Sequence, residues 1–297
     1  LLPYGVDFNG NGSLAAGNFD EDSQSELVMG AGPGGGPHVK VIDTNLKSYL
    51  SLGFLVYDDS FKGGIDVAAG DIDGDGVDEI ITGAGPGGGP HVKAFKKDGT
   101  PANFGFFAYD ESFRGGVHVA AGDIDGDGID EIITGAGPGG GPHVKAFKKD
   151  GTVVSSFFPY TESFRGGVDV ASANVNSAAN DEIITSAGPG GGPHIGVFNK
   201  NGTWLNSFFA YGDEFKGGVR VAAGNVRTST ALSEIITVPM SQGGPQIKMF
   251  NTSGSLLTSK MGLEEWWVGN YDVAVGNGSS FFSAGGNRRM SIRSSGF

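Results

Sequence analysis

The tract GAGPGGGPHVK occurs at 30–40, 83–93 and 135–145, returns as SAGPGGGPHIG at 186–196, and survives as VPMSQGGPQIK at 238–248. His38, His91, His143, His194 and Gln246 thus hold one equivalent position, at steps of 53, 52, 51 and 52 residues. A sixth, eroded copy runs from Val273 to Arg293. A period near 50 restricts the fold to a stack or ring of similar units, because one such unit cannot bury both its faces alone. The 55 glycines and 13 prolines recur at fixed places in this period, so they mark tight turns and not disorder.

Each unit carries four short runs rich in β-branched and aromatic residues, bounded by Gly, Pro and Asp. Around the third unit they are FGFFAYD (104–110, closing the preceding unit), VHVAAG (117–122), DEIITGAG (130–137) and HVKAF (143–147). No segment keeps a helical spacing. Four strands per repeat is the rhythm of a propeller blade, and the count predicts an all-β, six-bladed β-propeller with four-stranded blades. The whole chain, 1–297, is read as one domain, with repeats starting near 6, 65, 117, 168, 219 and 271. Leu1-Leu2-Pro3-Tyr4 aligns with Phe158-Pro159-Tyr160, so residues 1–5 are expected to supply the last strand of the sixth blade. A closed ring leaves no free sheet edge.

Between the first and second strands lies DIDGDGVDE (71–79), repeated as DIDGDGIDE (123–131). Oxygen donors at alternate positions of a sharp turn can converge on one hard cation, and calcium takes 6–8 oxygens at roughly 2.3–2.6 Å. The expected ligands are Asp71, Asp73, Asp75, the Val77 carbonyl and Glu79, and in the next loop Asp123, Asp125, Asp127, the Ile129 carbonyl and Glu131. Asn18, Asp20, Asp22, Gln24 and Glu26 form a third such set, with Ser23 in place of the glycine. The fourth loop keeps Asn174, Asn176 and Glu182 but has Ala178 where a donor should stand. The fifth (Asn225, Arg227, Ser229) and sixth (from Asn277) lack the pattern. An EF-hand begins similarly but needs flanking helices and a Glu at position 12; here strands flank the loop and the acid falls at 9. The competing reading is an acidic turn whose Asp residues satisfy local backbone donors.

The DxDGDGxDE loop, followed by a strand and a GAG turn, resembles the FG-GAP repeats of integrin α-subunit propellers and related bacterial surface proteins. The resemblance implies structural calcium in these loops, on the face opposite the partner-binding face. Integrin propellers have seven blades and longer repeats, whereas this chain counts six; the GPGGGPH tract is closer to the bacterial relatives.

The opposite face should carry the GPGGGPH turns and the blade connections YDDSFKGG (57–64), YDESFRGG (109–116), YTESFRGG (160–167) and YGDEFKGG (211–218). His38, His91, His143, His194, Glu111, Arg114, Glu162 and Arg165 are candidate ligand-contacting residues there, suited to sugar rings or a protein loop. Against this, Phe61, Phe113, Phe164 and Phe215 fit as packing between blades, the acids can pair with the neighbouring Lys or Arg, and the histidines can cap strands. One polar residue per blade, Asp66, His118, Asp169, Arg220 and Asp272, sits on the first strand, which lines a propeller's channel. These residues are read either as a functional ring or as mutually paired charges. In the last blade Glu264, Glu265, Trp266 and Trp267 replace the usual pattern and offer a contact to a neighbour.

A formal net charge of −13 and pI near 4.7 disfavour nucleic acid and anionic lipid as partners and suit cations. No cysteine is present, and no apolar run approaches the roughly 18 residues that cross a membrane. The start at Leu1, without an initiator Met or a signal peptide, reads as a mature product or one domain of a longer protein. Catalysis needs an asymmetric constellation, while nearly every reactive side chain here is repeated, so no enzyme is expected. The expectation is an extracellular or cell-surface module that binds glycan or protein, or self-associates; the alternative is a building block of a surface layer or filament. A carbohydrate-active enzyme ranks behind both.

Overall fold

The computed structural model describes residues 3–5, 8, 10–20, 22, 24–43, 48–227, 231–262, 270–276, 279–285 and 291–295, the last two segments and residue 270 by backbone alone. Leu1, Leu2, Ser23, Ser229, Glu264, Glu265, Trp266, Trp267 and Asn277 therefore lie outside the described residues. Every regular element among the described residues is a β-strand.

Blade 1 is an antiparallel meander of Gly12–Gly17, Glu26–Ala31, His38–Ile42 and Tyr49–Leu55. Four further four-stranded sheets of the same order follow at 65–107, 117–157, 168–209 and 219–261. A three-stranded sheet, Asn270–Gly276, Ser279–Gly285 and Ser291–Ser295, comes last. The expectation of six four-stranded blades, the last completed by an N-terminal strand, is thus corrected to five. Pro3 and Tyr4 form a turn, not a strand, and the last sheet has no fourth strand among the described residues. The cause is local: the final segment lacks the glycine tract that joins second and third strands in the other blades, and Pro3, like Pro159, falls in the turn beyond the outer strand.

The three-stranded sheet nonetheless sits between blade 5 and blade 1. Leu14 N donates to Asp272 Oδ2 at 2.8 Å, and Ala274 packs with Leu14, Leu27, Met29 and Ile42. Tyr4 acts as the repeat's other tyrosines do. Its hydroxyl lies 2.9 Å from Met29 O and 2.8 Å from His38 O, as Tyr57's lies 3.0 Å from Thr82 O and 2.8 Å from His91 O in the next blade.

The core lies between blades, not within them. Second strands such as Glu79–Ala84 are buried at every residue because neighbouring blades cover both faces, while the outer strand Pro101–Phe107 alternates exposed and half-buried. One cluster joins Ile72, Ile81 and Val92 of blade 2 to Val117, Val119, Ile132 and Phe147 of blade 3. The glycine tracts permit close backbone approach: a Cβ on Gly85 would meet Gly63 O at 2.2 Å, and Gly87 takes φ 93°. Gly85 N donates to Gly64 O and Gly87 N to Arg114 O, both at 2.9 Å, which locks each turn to the connections on either side.

Candidate functional site

The acidic loops leave one face of the ring, the glycine tracts the other. In the loop of blade 2, Asp71 Oδ1 accepts from Gly74 N (2.7 Å) and Asp71 Oδ2 from Gly76 N (2.9 Å), so the first carboxylate organises the turn. Asp123 does the same for Gly126 N (2.6 Å) and Gly128 N (2.9 Å). These are the local backbone bonds of the competing reading, and they occupy only part of each carboxylate's capacity.

Acceptor atoms of Asp71, Asp73 and Glu79 lie within 4.8 Å of one another, as do those of Asp123, Asp125 and Asp127, and those of Asp20, Asp22 and Glu26. Asp75 and Glu131 fall outside these groups. Val77, Ile129 and Gln24, at the seventh position, each donate their amide to the carboxylate two residues earlier, at 2.9, 3.0 and 2.6 Å. Asn18 turns its amide to Asp22 O at 2.9 Å. Asp20 Oδ1 is buried with no hydrogen-bond partner, the arrangement a hard cation relieves.

The ninth-position acids Glu26, Glu79, Glu131, Glu182 and Glu234 are all buried, at 4% exposure or less. Burial, with Asp73 adding to it, pushes Glu79 up to about 7; burial also raises Glu26, Glu131 and Glu182. A carboxylate held this way gains from any cation brought to it.

Position three decides what that cation is. Lys97 Nζ lies 3.2 Å from Asp20, Lys149 Nζ 2.7 Å from Asp73, and Lys148 Nζ 2.9 Å from Asp125 and 2.6 Å from Asp127. In loop 4, Asn176 donates its own side-chain amide to Glu182 at 2.6 Å. In loop 5, Arg227 Nε donates to Glu234 at 2.9 Å. The loop without the metal pattern carries its counter-charge inside the sequence.

Residues missed in the sequence link successive loops. Asp78 Oδ2 accepts from Asn18 N at 2.8 Å and Asp130 Oδ2 from Asp71 N at 3.2 Å, each reaching back one blade. Burial, with Asp78 and Asp181 adding, raises Asp130 to about 7.

At the channel, Arg220 gathers the polar ring. Its Nη1 donates to Asp169 Oδ1 at 2.5 Å and lies 2.8 Å from His118 Nδ1. Asp66 lies 3.4 Å from His118 and 3.7 Å from Arg220. Burial alone would raise Asp66, but Arg220 and His118 bring it down to about 2. Burial holds Asp272 up at about 7, with Asp66 and Asp169 opposing the pull of Arg220.

The ring also fastens blade to blade. Ser13 Oγ accepts from Val67 N (2.9 Å), Asp66 Oδ2 from Val119 N (3.0 Å), Asp169 Oδ2 from Val221 N (2.8 Å) and Asp272 Oδ2 from Leu14 N (2.8 Å). Ser13 carries no charge and was invisible to a search for charged rows.

On the glycine face, His91 stacks on Phe107 and His143 on Phe158, with centroids 4.8 and 4.4 Å apart. His194 lies between Trp204 and Phe209, and His38 packs on Tyr4. Burial lowers all four imidazoles, His143 to about 4. Arg114 and Arg165 donate to the backbone carbonyls of Glu111 and Glu162, not to their carboxylates, which stay exposed. One large apolar side chain per complete blade stands outward here, Leu55, Phe107, Phe158, Phe209 and Met261, between 43 and 57% exposed, and the three phenylalanines are the rings paired with histidine.

Residues 115–154 match the FG-GAP repeat family, and they contain the third acidic loop and most of blade 3. The chain is a β-propeller with one repeat, 115–154, that matches the FG-GAP model. No curated protein sequence matches it. Among solved structures, Raptor from Chaetomium thermophilum is similar at 12% identity and TM-score 0.57, covering 96% of this chain and 24% of that one. A protein of unknown function from Bacteroides caccae is similar at 12% identity and TM-score 0.50, covering 92% and 82%. A rhamnogalacturonan lyase from Bacillus licheniformis is similar at 14% identity and TM-score 0.49, covering 94% and 56%. The chain spans about half the length of the rhamnogalacturonan lyases it matches. At these identities the likeness speaks for the fold alone.

Proposed function

We infer that this chain is a non-catalytic binding module of a cell exterior, braced by calcium in the loops of blades 1 to 3. The observation that carries the calcium reading is the graded third position. Where the loop supplies its own donor, as Asn176 or Arg227, the buried glutamate is already served; where it has aspartate, the loop offers acceptors alone and the balancing cation comes from beyond the loop. Calcium supplies a hard, doubly charged centre; Asp73, Asp125 and Asp20 with their neighbours would hold it and so fix the turn between first and second strands.

The binding role falls to the glycine face. There an exposed aromatic stacked on a neutral imidazole, with an exposed carboxylate close by, repeats around the ring. Such platforms suit the apolar faces and hydroxyls of sugar rings. No enzymatic role is proposed, because each candidate reactive group is committed to a repeated structural contact. A glycan array probed in calcium and again in chelator tests the reading. Binding lost on Phe158→Ala and unaffected by His118→Ala supports it; turnover of a bound polysaccharide overturns it.

A second reading, assembly of copies, rests on Leu52, 86% exposed on the outer strand of blade 1, and on the exposed Trp204 and Leu205 of blade 4. Sedimentation of the calcium-loaded chain without glycan separates the two.

A further inference from the structure

The hairpin turns joining third and fourth strands lie on the acidic-loop face, and their sequences differ in step with the loops they overhang. Blades 2 and 3 carry Lys96-Lys97 and Lys148-Lys149; the matching turns of blades 4 and 5 read Asn199-Lys200 and Asn251-Thr252. The first lysine of a pair bends to its own blade's loop and the second to the loop of the blade before. Each aspartate-type loop thereby receives one close ammonium: Lys97 on Asp20, Lys149 on Asp73, and Lys148 on Asp125, Asp127 and, at 3.4 Å, Glu131.

Over loop 4, blade 5 offers no lysine. Thr252 sits there instead, its hydroxyl donating to Val175 O, while Asn176 serves Glu182. Loop 5 is served by Arg227. The chemistry of the two cations differs. Arg227 belongs to the loop itself and reaches Glu234 with a planar fork, whereas a lysine on a separate surface turn has a flexible stem and one compact charge that can swing away.

We propose that Lys97, Lys148 and Lys149 are the resident counter-ions of the three acidic loops, and that a divalent cation binds by expelling them. The inference rests on the calcium reading above. An ammonium within 3.2 Å of a ligating carboxylate and a divalent ion on that same carboxylate repel, so the lysine must leave when the ion enters. The lysines hold the empty loops closed and weaken the loops' affinity for the ion. Permanent cation and removable cation are two solutions to one problem, the buried glutamate at position nine.

The test is calorimetric titration of calcium chloride into the EDTA-dialysed full chain, for wild type, the triple variant Lys97→Met, Lys148→Met, Lys149→Met, and Lys200→Met as control. Lys200 occupies the matching turn of blade 4 and makes no ion pair among the described residues. The triple variant should bind calcium about tenfold more tightly per site, and its metal-free melting temperature should fall, with the control unchanged in both. Equal or weaker calcium affinity in the triple variant overturns the proposal alone. If neither wild type nor variant binds calcium, the calcium reading falls with it. Should the triple variant fail to fold, Lys149→Met, which touches Asp73 only, gives the same two readouts on one loop.

Discussion

The loops of blades 1 to 3 and those of blades 4 and 5 hold the same buried glutamate in the same place and satisfy it by different means. Ile72 N donates to Glu79 at 3.3 Å, Val175 N to Glu182 at 3.0 Å and Val226 N to Glu234 at 3.0 Å, so the backbone half of the site is common to all. The other half is aspartate faced by a lysine from a separate turn in one group, and a donor within the loop itself, Asn176 or Arg227, in the other. A repeat that loses its metal pattern has therefore not decayed at random. It keeps a donor on the glutamate, a neutral amide in loop 4 and a guanidinium in loop 5, because an unpaired buried carboxylate is among the costliest defects a fold can carry.

The comparison breaks most readily at its fixed end. Arg227→Met takes the guanidinium away from Glu234 and should cost about 2–3 kcal/mol in urea unfolding, with no recovery in calcium. Recovery in calcium would mean that loop 5 is a metal site after all. Next in size, calcium at a weak extracellular-type site adds about 1.5 kcal/mol per site at millimolar concentration. Asp125→Asn with Asp127→Asn should remove one such increment, read as a smaller calcium-induced shift in melting temperature than in wild type.

Acidity offers a third handle. Glu79 is raised from its ordinary value to about 7, so the metal-free fold favours its protonated form. Stability from this group is fully present below about 4.5 and is lost as pH rises through about 7. In EDTA the melting temperature should fall from pH 5 to pH 8, and Glu79→Gln should flatten that fall. Calcium, which needs the ionised carboxylate, should reverse the slope.

The smallest effect expected is at loop 4. Asn176→Asp puts two acids together without the amide that now serves Glu182, and should cost about 1 kcal/mol without calcium. Calcium should return part of it; no response at all would place the metal pattern's requirement at Ala178 and not at Asn176.

Much of this was legible in the sequence because a repeat multiplies its own signal. Strand periods and the glycine turns could be read five times over and the acidic loops three times, and the faces they leave from followed from strand order. The count of complete blades was not legible. The rule that an end strand closes a ring is global, whereas the final segment offered only weak local evidence, and Pro3-Tyr4 forms a turn that keeps the tyrosine's staple and the Pro3 carbonyl's bond from Lys40 to blade 1. Ser13 and Asp78 were passed over for a related reason. Their partners, Val67 and Asn18, lie more than fifty residues away in the neighbouring blade, beyond what one repeat can display. Arg227 looked like the death of a site; only its distance to Glu234 shows that it replaces one. A signal existed, the switch from Asp73 and Asp125 to Arg227 with the glutamate retained, and it could have been weighed.

The most direct measurement is an anomalous difference map from crystals grown in calcium. The account predicts peaks among Asp20, Asp73 and Asp125 and their neighbours in loops 1 to 3, with Lys97, Lys148 and Lys149 turned away, and no peak beside Asn176 or Arg227. Peaks in loops 4 and 5, or three acidic loops still holding their lysines and no ion, would contradict it.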